Sequence, residues 1–138
     1  MANMFAASLL GAAVLAAAGP ALAAGMGADP LTAYRWKARV LVAVASDPAD
    51  PKLAQQRALY AGMKAGARER DLVLVEAAGA SPDAAALRKA FDLGPGFHAV
   101  LVGKDGGSKL TSSEPLKDAQ LFPLIDAMPM RQDEMKRP

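Results

Sequence analysis

Cysteine is absent from this chain of 138 residues, and histidine occurs once, as His98. Without cysteine the chain cannot form a disulfide, exchange thiols, use a thiolate nucleophile or bind zinc or an iron–sulfur cluster through sulfur. A single histidine cannot build a histidine-rich metal site, and no Asp-x-Asp-x-Asp-Gly run indicates a calcium loop. The sequence therefore predicts no metal and no cofactor.

Charged side chains are absent from residues 1–24, whereas the rest of the chain holds all 16 Lys and Arg and all 14 Asp and Glu. The apolar stretch from Phe5 to Leu22 ends in Ala21-Leu22-Ala23, a small-x-small pattern that signal peptidase accepts. We therefore predict a signal peptide over 1–23 and an exported, periplasmic protein. The usual positive n-region is missing, and a retained membrane anchor is the alternative, since a run of this length can span a bilayer.

Aromatic residues make up only 5% of the chain, and its net charge is +2. The cations are spread from Arg35 to Arg137 instead of being clustered on one segment with aromatic residues between them. Proteins that read nucleic acids usually concentrate both kinds of residue. Nucleic acid is therefore excluded as an expected partner, and after signal cleavage no membrane span is expected.

The segment after the signal peptide has the length of one domain. We divide it into a flexible linker at 24–33, a domain at 34–135 and a tail at 136–138. Three apolar runs predict buried strands, the first two of them interior to the sheet; they are 40–45, 72–75 and 97–103. Asp50-Pro51 and Ser81-Pro82 each provide an N-cap and a first helical residue, which predicts helices from 51 to about 70 and from 82 to about 91.

The second half of the domain adds a hairpin and a helix. Asp105-Gly106 predicts a tight type I′ turn, followed by a polar edge strand at 108–111. Leu121, Leu124, Ile125 and Met128 share one helical stripe, and Pro123 within it predicts a kink or a late helix start. The order is βαβαββα, with two right-handed crossovers that make parallel pairs, then an antiparallel hairpin. This order predicts a thioredoxin-like α/β fold with a mixed four-stranded sheet flanked by helices.

Three stretches resemble one family when they are taken in order: residues 36–39, residues 102–107, and residues 125–131 together with Glu134-Met135. They are similar to the domain of unknown function 4174 (DUF4174, or P-DUDES) family, which occurs in exported bacterial proteins and in some animal extracellular-matrix proteins. The resemblance covers residues 34–135. It implies a thioredoxin-like fold related to peroxiredoxin-like domains, without an established activity. Pro123 departs from the expected helix pattern.

The position of the redox cysteines in that fold corresponds to residues 46–50 here, which hold Ser, Asp and Pro. Asp47 and Asp50 can be interpreted as an acid/base pair or as turn and N-cap residues, and positional preference favours the second interpretation. Pro95 occupies the place of a cis-proline before the third strand, so we predict a cis Gly94-Pro95 bond from fold position. His98 has no paired carboxylate in the sequence and is interpreted as structural.

Further candidates form a ligand or partner surface. Trp36, flanked by cations, can stack on a ligand or cap the core, and Lys104 lies in the hairpin. Arg131 and Met135 belong to a Met-rich C-terminal segment that is either a structural latch or a docking surface.

Three functions follow, and the first is favoured: a non-catalytic binding or adaptor module that recognises another envelope protein. The alternatives are an enzyme that uses Asp47, Asp50, Lys104 and Arg131 in place of thiols, and a protein of the peroxiredoxin-like group that binds a small ligand or responds to oxidants. The sequence does not predict an oligomeric state.

Overall fold

The computed structural model describes residues 29–137, which form a four-stranded sheet with helices on both faces. The predicted signal peptide, 1–23, lies outside the described residues. The sheet has the order β2-β1-β3-β4, with strands β1 (Arg39–Ala45), β2 (Leu72–Ala78), β3 (His98–Val102) and β4 (Ser108–Ser112). The five helices are α1 (Pro51–Gly62), α2 (Lys64–Glu69), α3 (Pro82–Ala90), α4 (Asp118–Asp126) and α5 (Pro129–Lys136). The predicted mixed α/β fold is confirmed.

The direction of β3 differs from the prediction. β1 and β2 are parallel, as expected, but β3 runs antiparallel to β1. The reason is that the chain after α3 returns to the end of the sheet at which β1 stops. There, the Gly96 amide donates to Ser46 Oγ at 2.7 Å, and His98 pairs with Val44. The second connection is therefore not a parallel crossover. The peptide bond before Pro95 is trans, which also contradicts the prediction.

β1 is buried along its whole length because helices cover both of its faces. Leu41, Ala43 and Ala45 belong to a core with residues of α1, α2 and α4, whereas Val40, Val42 and Val44 belong to a second core with residues of α3. β2, predicted to be an interior strand, lies at an edge of the sheet. Its apolar run reflects coverage of both faces by helices, not a neighbour on each side.

The sequence predicts where the first helices begin more accurately than it predicts how far they continue. Asp50 accepts a hydrogen bond from the Lys52 amide at 2.8 Å, and Ser81 Oγ accepts one from the Ala84 amide at 3.1 Å. The predicted helix from 51 to about 70 is interrupted at Met63, where α1 ends and α2 follows.

The predictions for the closing helix and the hairpin need correction. α4 begins at Asp118 and includes Pro123, so the helix does not start late. Leu121 and Ile125 are buried, but Leu124 is exposed, so Leu124 does not belong to the buried stripe of this helix. In the hairpin only Gly106 has a left-handed φ, of 88°, whereas a type I′ turn needs two such residues. The Gly106 amide instead closes a turn onto the Gly103 carbonyl at 3.0 Å.

Packing of the domain extends into the predicted linker. Leu31 is buried in the α3-side core, and a short 3-10 helix, Thr32–Tyr34, follows it. The chain then makes a tight turn in which the amides of Lys37 and Ala38 both donate to the Tyr34 carbonyl at 2.8 Å. This turn leads directly into β1 and presents Trp36 at the surface.

Candidate binding site

Two buried cations share one carboxylate where β1 begins. Arg39 is fully buried, and its Nη1 and Nη2 donate to Glu134 Oε1 and Oε2 at 3.1 and 3.0 Å. Lys104, which follows β3, donates from Nζ to Glu134 Oε2 at 2.7 Å and to Asp71 Oδ2 at 2.9 Å. Because β3 is antiparallel to β1, its last residue lies beside the start of β1. Glu134 on α5 therefore neutralises charge that two strands bring to one place.

Arg131 gives α5 a second ionic attachment. Its side chain is 6% exposed, and it donates from Nε to Asp126 Oδ1 and from Nη2 to Glu69 Oε2, both at 3.0 Å. Arg70 donates two further hydrogen bonds to the Asp126 carboxylate. The C-terminal segment is therefore attached to the domain as a latch through the ion pairs of Arg131 and Glu134. Met135 takes no part in this attachment, because it remains 46% exposed.

The pKa values of the latch carboxylates reflect these contacts. Burial alone would raise the pKa of Glu134, but hydrogen bonds from Arg39 and Lys104 outweigh burial and hold that pKa below its usual range. The hydrogen bond from Arg70 holds the pKa of Asp126 below its usual range as well, against an opposing effect of burial. Both carboxylates are therefore ionised in the folded protein at neutral pH.

Acid is expected to weaken this latch. A carboxylate whose pKa is depressed by folding stabilises the folded state above its unfolded pKa, about 4.3 for Glu and 3.9 for Asp, and loses that contribution as the pH falls through the folded value. Urea unfolding between pH 5 and pH 2 should therefore show a steeper loss of stability for the wild type than for Glu134→Gln. Glu114→Gln, at an exposed carboxylate, should follow the wild type. Parallel curves for the wild type and Glu134→Gln would contradict the assignment.

A cleft of about 300 Å³ lies beside the latch. We call it the Trp36 cleft; it is lined by Trp36, Arg39, Gly103, Lys104, Asp105, Lys109, Met128, Pro129 and Met130. Trp36 is 63% exposed, and Met130 is also exposed. Contiguous exposed apolar surface is typical of sites that bind a partner or ligand, and this cleft brings Trp36 and Met130 together. The structure thus brings two predicted site residues, Trp36 and Lys104, into one place.

The backbone of Trp36 is strained. Its φ is 69°, in the left-handed region that bulky residues rarely adopt, and its amide donates to the Lys104 carbonyl at 2.7 Å. Such strain is retained where the surrounding structure enforces it, and it clusters at binding and active sites. The strain here holds an indole in solvent rather than in the core. This favours the ligand interpretation of Trp36 over the core-capping one.

The cleft also borders an unsatisfied donor. Arg39 lines it, and among the described residues the buried Arg39 Nε has no hydrogen-bond partner within the protein. A buried donor without a partner costs about 1–3 kcal/mol.

The residues at the position of redox cysteines lie at the opposite end of the sheet. Asp47 accepts from the Ala49 amide at 2.9 Å, and Asp50 caps α1, so both have the structural roles that the sequence favours. β1, about 20 Å long by its rise per residue, separates them from Lys104 and Arg131. The non-thiol enzyme hypothesis needs Asp47, Asp50, Lys104 and Arg131 in one site, and the structure does not bring them together. Pro95 lies at the same end of the sheet as Asp47.

Comparison with protein-family models matches the Domain of unknown function (DUF4174) model to residues 30–134. This confirms the family that the three stretches resemble. Comparison with curated proteins and with solved structures gave no match. Within residues 29–137, no helix is long and apolar enough to cross a bilayer, and no three acidic or histidine side chains are grouped as metal ligands.

Proposed function

The chain belongs to the DUF4174 family, and we propose that it is a non-catalytic binding module of the cell envelope that holds a segment of another polypeptide in the Trp36 cleft. The observation that carries the proposal is that Trp36, which is exposed and has a strained backbone, lines one cleft together with exposed Met130. The buried cations Arg39 and Lys104 line the same cleft. The uncharged residues 1–24 support the envelope location.

The composition of the cleft favours a polypeptide as the ligand. Tryptophan, methionine and arginine are enriched in the cores of protein–protein interfaces, and tryptophan is among the commonest residues whose loss costs most affinity. A volume of about 300 Å³ lies at the lower end of the range for small-molecule pockets, and it suits one large side chain better than a bulky cofactor. We therefore expect the partner to insert an apolar anchor residue against the indole.

The walls of the cleft are fixed before binding. Pro129 and Met130 belong to α5, which Glu134 attaches to β1 and Arg131 attaches to α4, and Trp36 is tied through its amide to Lys104. A preformed site loses little conformational entropy when the ligand binds, so a small cleft can still give useful affinity.

Trp36→Ala is expected to weaken partner binding by about 30-fold, the loss typical of a central interface tryptophan. The protein, carrying a C-terminal tag and purified after export, would be cross-linked to its partner in envelopes. The dissociation constant would then be measured with the purified partner.

Two methionines of α5 provide a matched control. Met130 lines the cleft and Met135 does not, although both are exposed. Met130→Ala should weaken binding severalfold, and Met135→Ala by less than twofold. Equal loss in both variants, or none in Trp36→Ala, would contradict the proposal. Decomposition of peroxide by the purified protein at enzymatic rates would contradict its non-catalytic character.

A further inference from the structure

We infer that the polypeptide segment bound in the Trp36 cleft carries acidic residues next to its apolar anchor, and that these residues are held by a second, cationic cleft. The inference rests on the proposed function, because it specifies the chemistry of the same partner. The evidence for it is a group of unpaired cations beside the first cleft.

The second cleft, which we call the basic cleft, has a volume of about 270 Å³. It is lined by Lys37, Ala38, Tyr60, Lys64, Arg68, Asp71, Leu72 and Val73. Three of these residues are exposed cations, and none of the salt bridges formed within residues 29–137 includes Lys37, Lys64 or Arg68. Like charges gathered around one concavity repel each other and attract an anion.

The two clefts adjoin. Lys104 lines the Trp36 cleft, Asp71 lines the basic cleft, and their side chains form an ion pair at 2.9 Å. Trp36 and Lys37 are consecutive residues of one tight turn, and each lines a different cleft. An extended segment that places its anchor against Trp36 therefore reaches the basic cleft within about five residues, at roughly 3.3 Å per residue.

The acidic group at the boundary restricts where the partner can place its charge. The Asp71 carboxylate already pairs with Lys104, so the boundary between the clefts offers no free positive charge to a carboxylate of the partner. Acidic residues of the partner are therefore expected on the side of Lys64 and Arg68, which lie one turn apart on α2.

Recognition here depends on side chains and not on strand addition. β2 is an edge strand, but the Leu72 carbonyl already accepts a hydrogen bond from Tyr60 Oη at 2.7 Å. An added strand would need the Leu72 carbonyl as a hydrogen-bond acceptor at this end of β2, and Tyr60 already occupies it.

The probe for this inference is a phage-displayed library of random 12-residue peptides, selected against the full-length exported protein. The selected peptides should share a large apolar residue with two or more Asp or Glu within about five positions of it. Their binding should weaken at least tenfold between 50 and 500 mM NaCl, since screening acts on exposed charges.

Charge reversal tests the basic cleft itself. Lys64→Glu with Arg68→Glu should weaken binding of the selected peptide at least tenfold. Lys89→Glu with Lys117→Glu changes the net charge equally at exposed cations that line neither cleft, and it should change binding less than twofold. Equal weakening in both pairs would overturn the inference, because it would indicate only a general charge effect.

The remaining outcomes separate this inference from the proposed function. Selected peptides without acidic preference whose binding depends on Trp36 would overturn the inference and leave the proposed function intact. Acidic peptides that bind Trp36→Ala as well as wild type would overturn the proposed Trp36 cleft. Selection of no peptide would overturn both, as would sedimentation showing that a second copy of the chain occupies the clefts. Lys64- and Arg68-dependent binding of DNA or anionic vesicles without peptide binding would overturn the inference.

Discussion

Replacing Glu134 with alanine is expected to lower the free energy of unfolding by about 3 kcal/mol or more, the loss seen when one partner of a buried ion pair is removed. The reason is the environment of the cations that remain. Arg39 is fully buried and its guanidinium would keep only the Arg70 carbonyl as a partner, while Lys104 would keep only Asp71. The change should appear in urea unfolding at pH 7 as a lower midpoint at unchanged slope.

Two variants give this expectation its controls. Glu114 also pairs with a lysine, Lys52, but both side chains are well exposed, so Glu114→Ala should cost less than about 1 kcal/mol. Arg39→Met combined with Glu134→Leu removes the buried pair completely and should be more stable than Glu134→Ala alone. If the double variant were the less stable one, the loss would come from contacts of α5 and not from unpaired buried charge.

The same cluster connects stability with the proposed binding site. Glu134 holds Lys104 on one side of the Trp36 cleft and α5 on the other. A segment docked in that cleft would therefore lie on a surface that the Glu134 carboxylate helps to hold on two sides. This arrangement explains why a short, highly charged C-terminal helix is packed at all, although its apolar residues are largely exposed.

Features set by neighbouring residues were predictable from the sequence. The run from Val40 to Ala45 forms the buried central strand, and Asp50-Pro51 and Ser81-Pro82 start helices, because caps and apolar runs act within a few residues. The direction of β3 was not predictable in this way, since it depends on where the loop between α3 and β3 contacts Ser46.

The candidate site was predictable only in part. Trp36 and Lys104 were both proposed from the sequence, and the structure joins them in one cleft. The ion pair between Arg39 and Glu134 was not predicted, because 95 positions separate the two residues and no local pattern around either one predicts a buried pair. A cation at the first position of a fully apolar strand, as Arg39 is, was one available signal, since burial there demands a partner. The place of Arg39 and Glu134 in the stretches that resemble the family was another.

Gln56→Leu is expected to cost about 2–4 kcal/mol, because it leaves two buried backbone groups without partners, each worth about 1–3 kcal/mol. Gln56 is fully buried in α1; its Nε2 donates to the Leu116 carbonyl at 2.9 Å, and its Oε1 accepts from the Leu116 amide at 2.7 Å. Leucine has nearly the same volume, so packing is retained and the lost hydrogen bonds dominate.

The neighbouring Gln55, which is exposed, supplies the matched control. Gln55→Leu should change the free energy of unfolding by less than about 0.5 kcal/mol, as most surface substitutions do. Comparable values for the two variants in urea unfolding would show that Leu116 finds other partners. The expected difference would instead identify Gln56 as the tether that fixes the chain just before α4. Because α4 and α5 follow directly, loss of this tether should also loosen the helix that carries Met130 and Glu134.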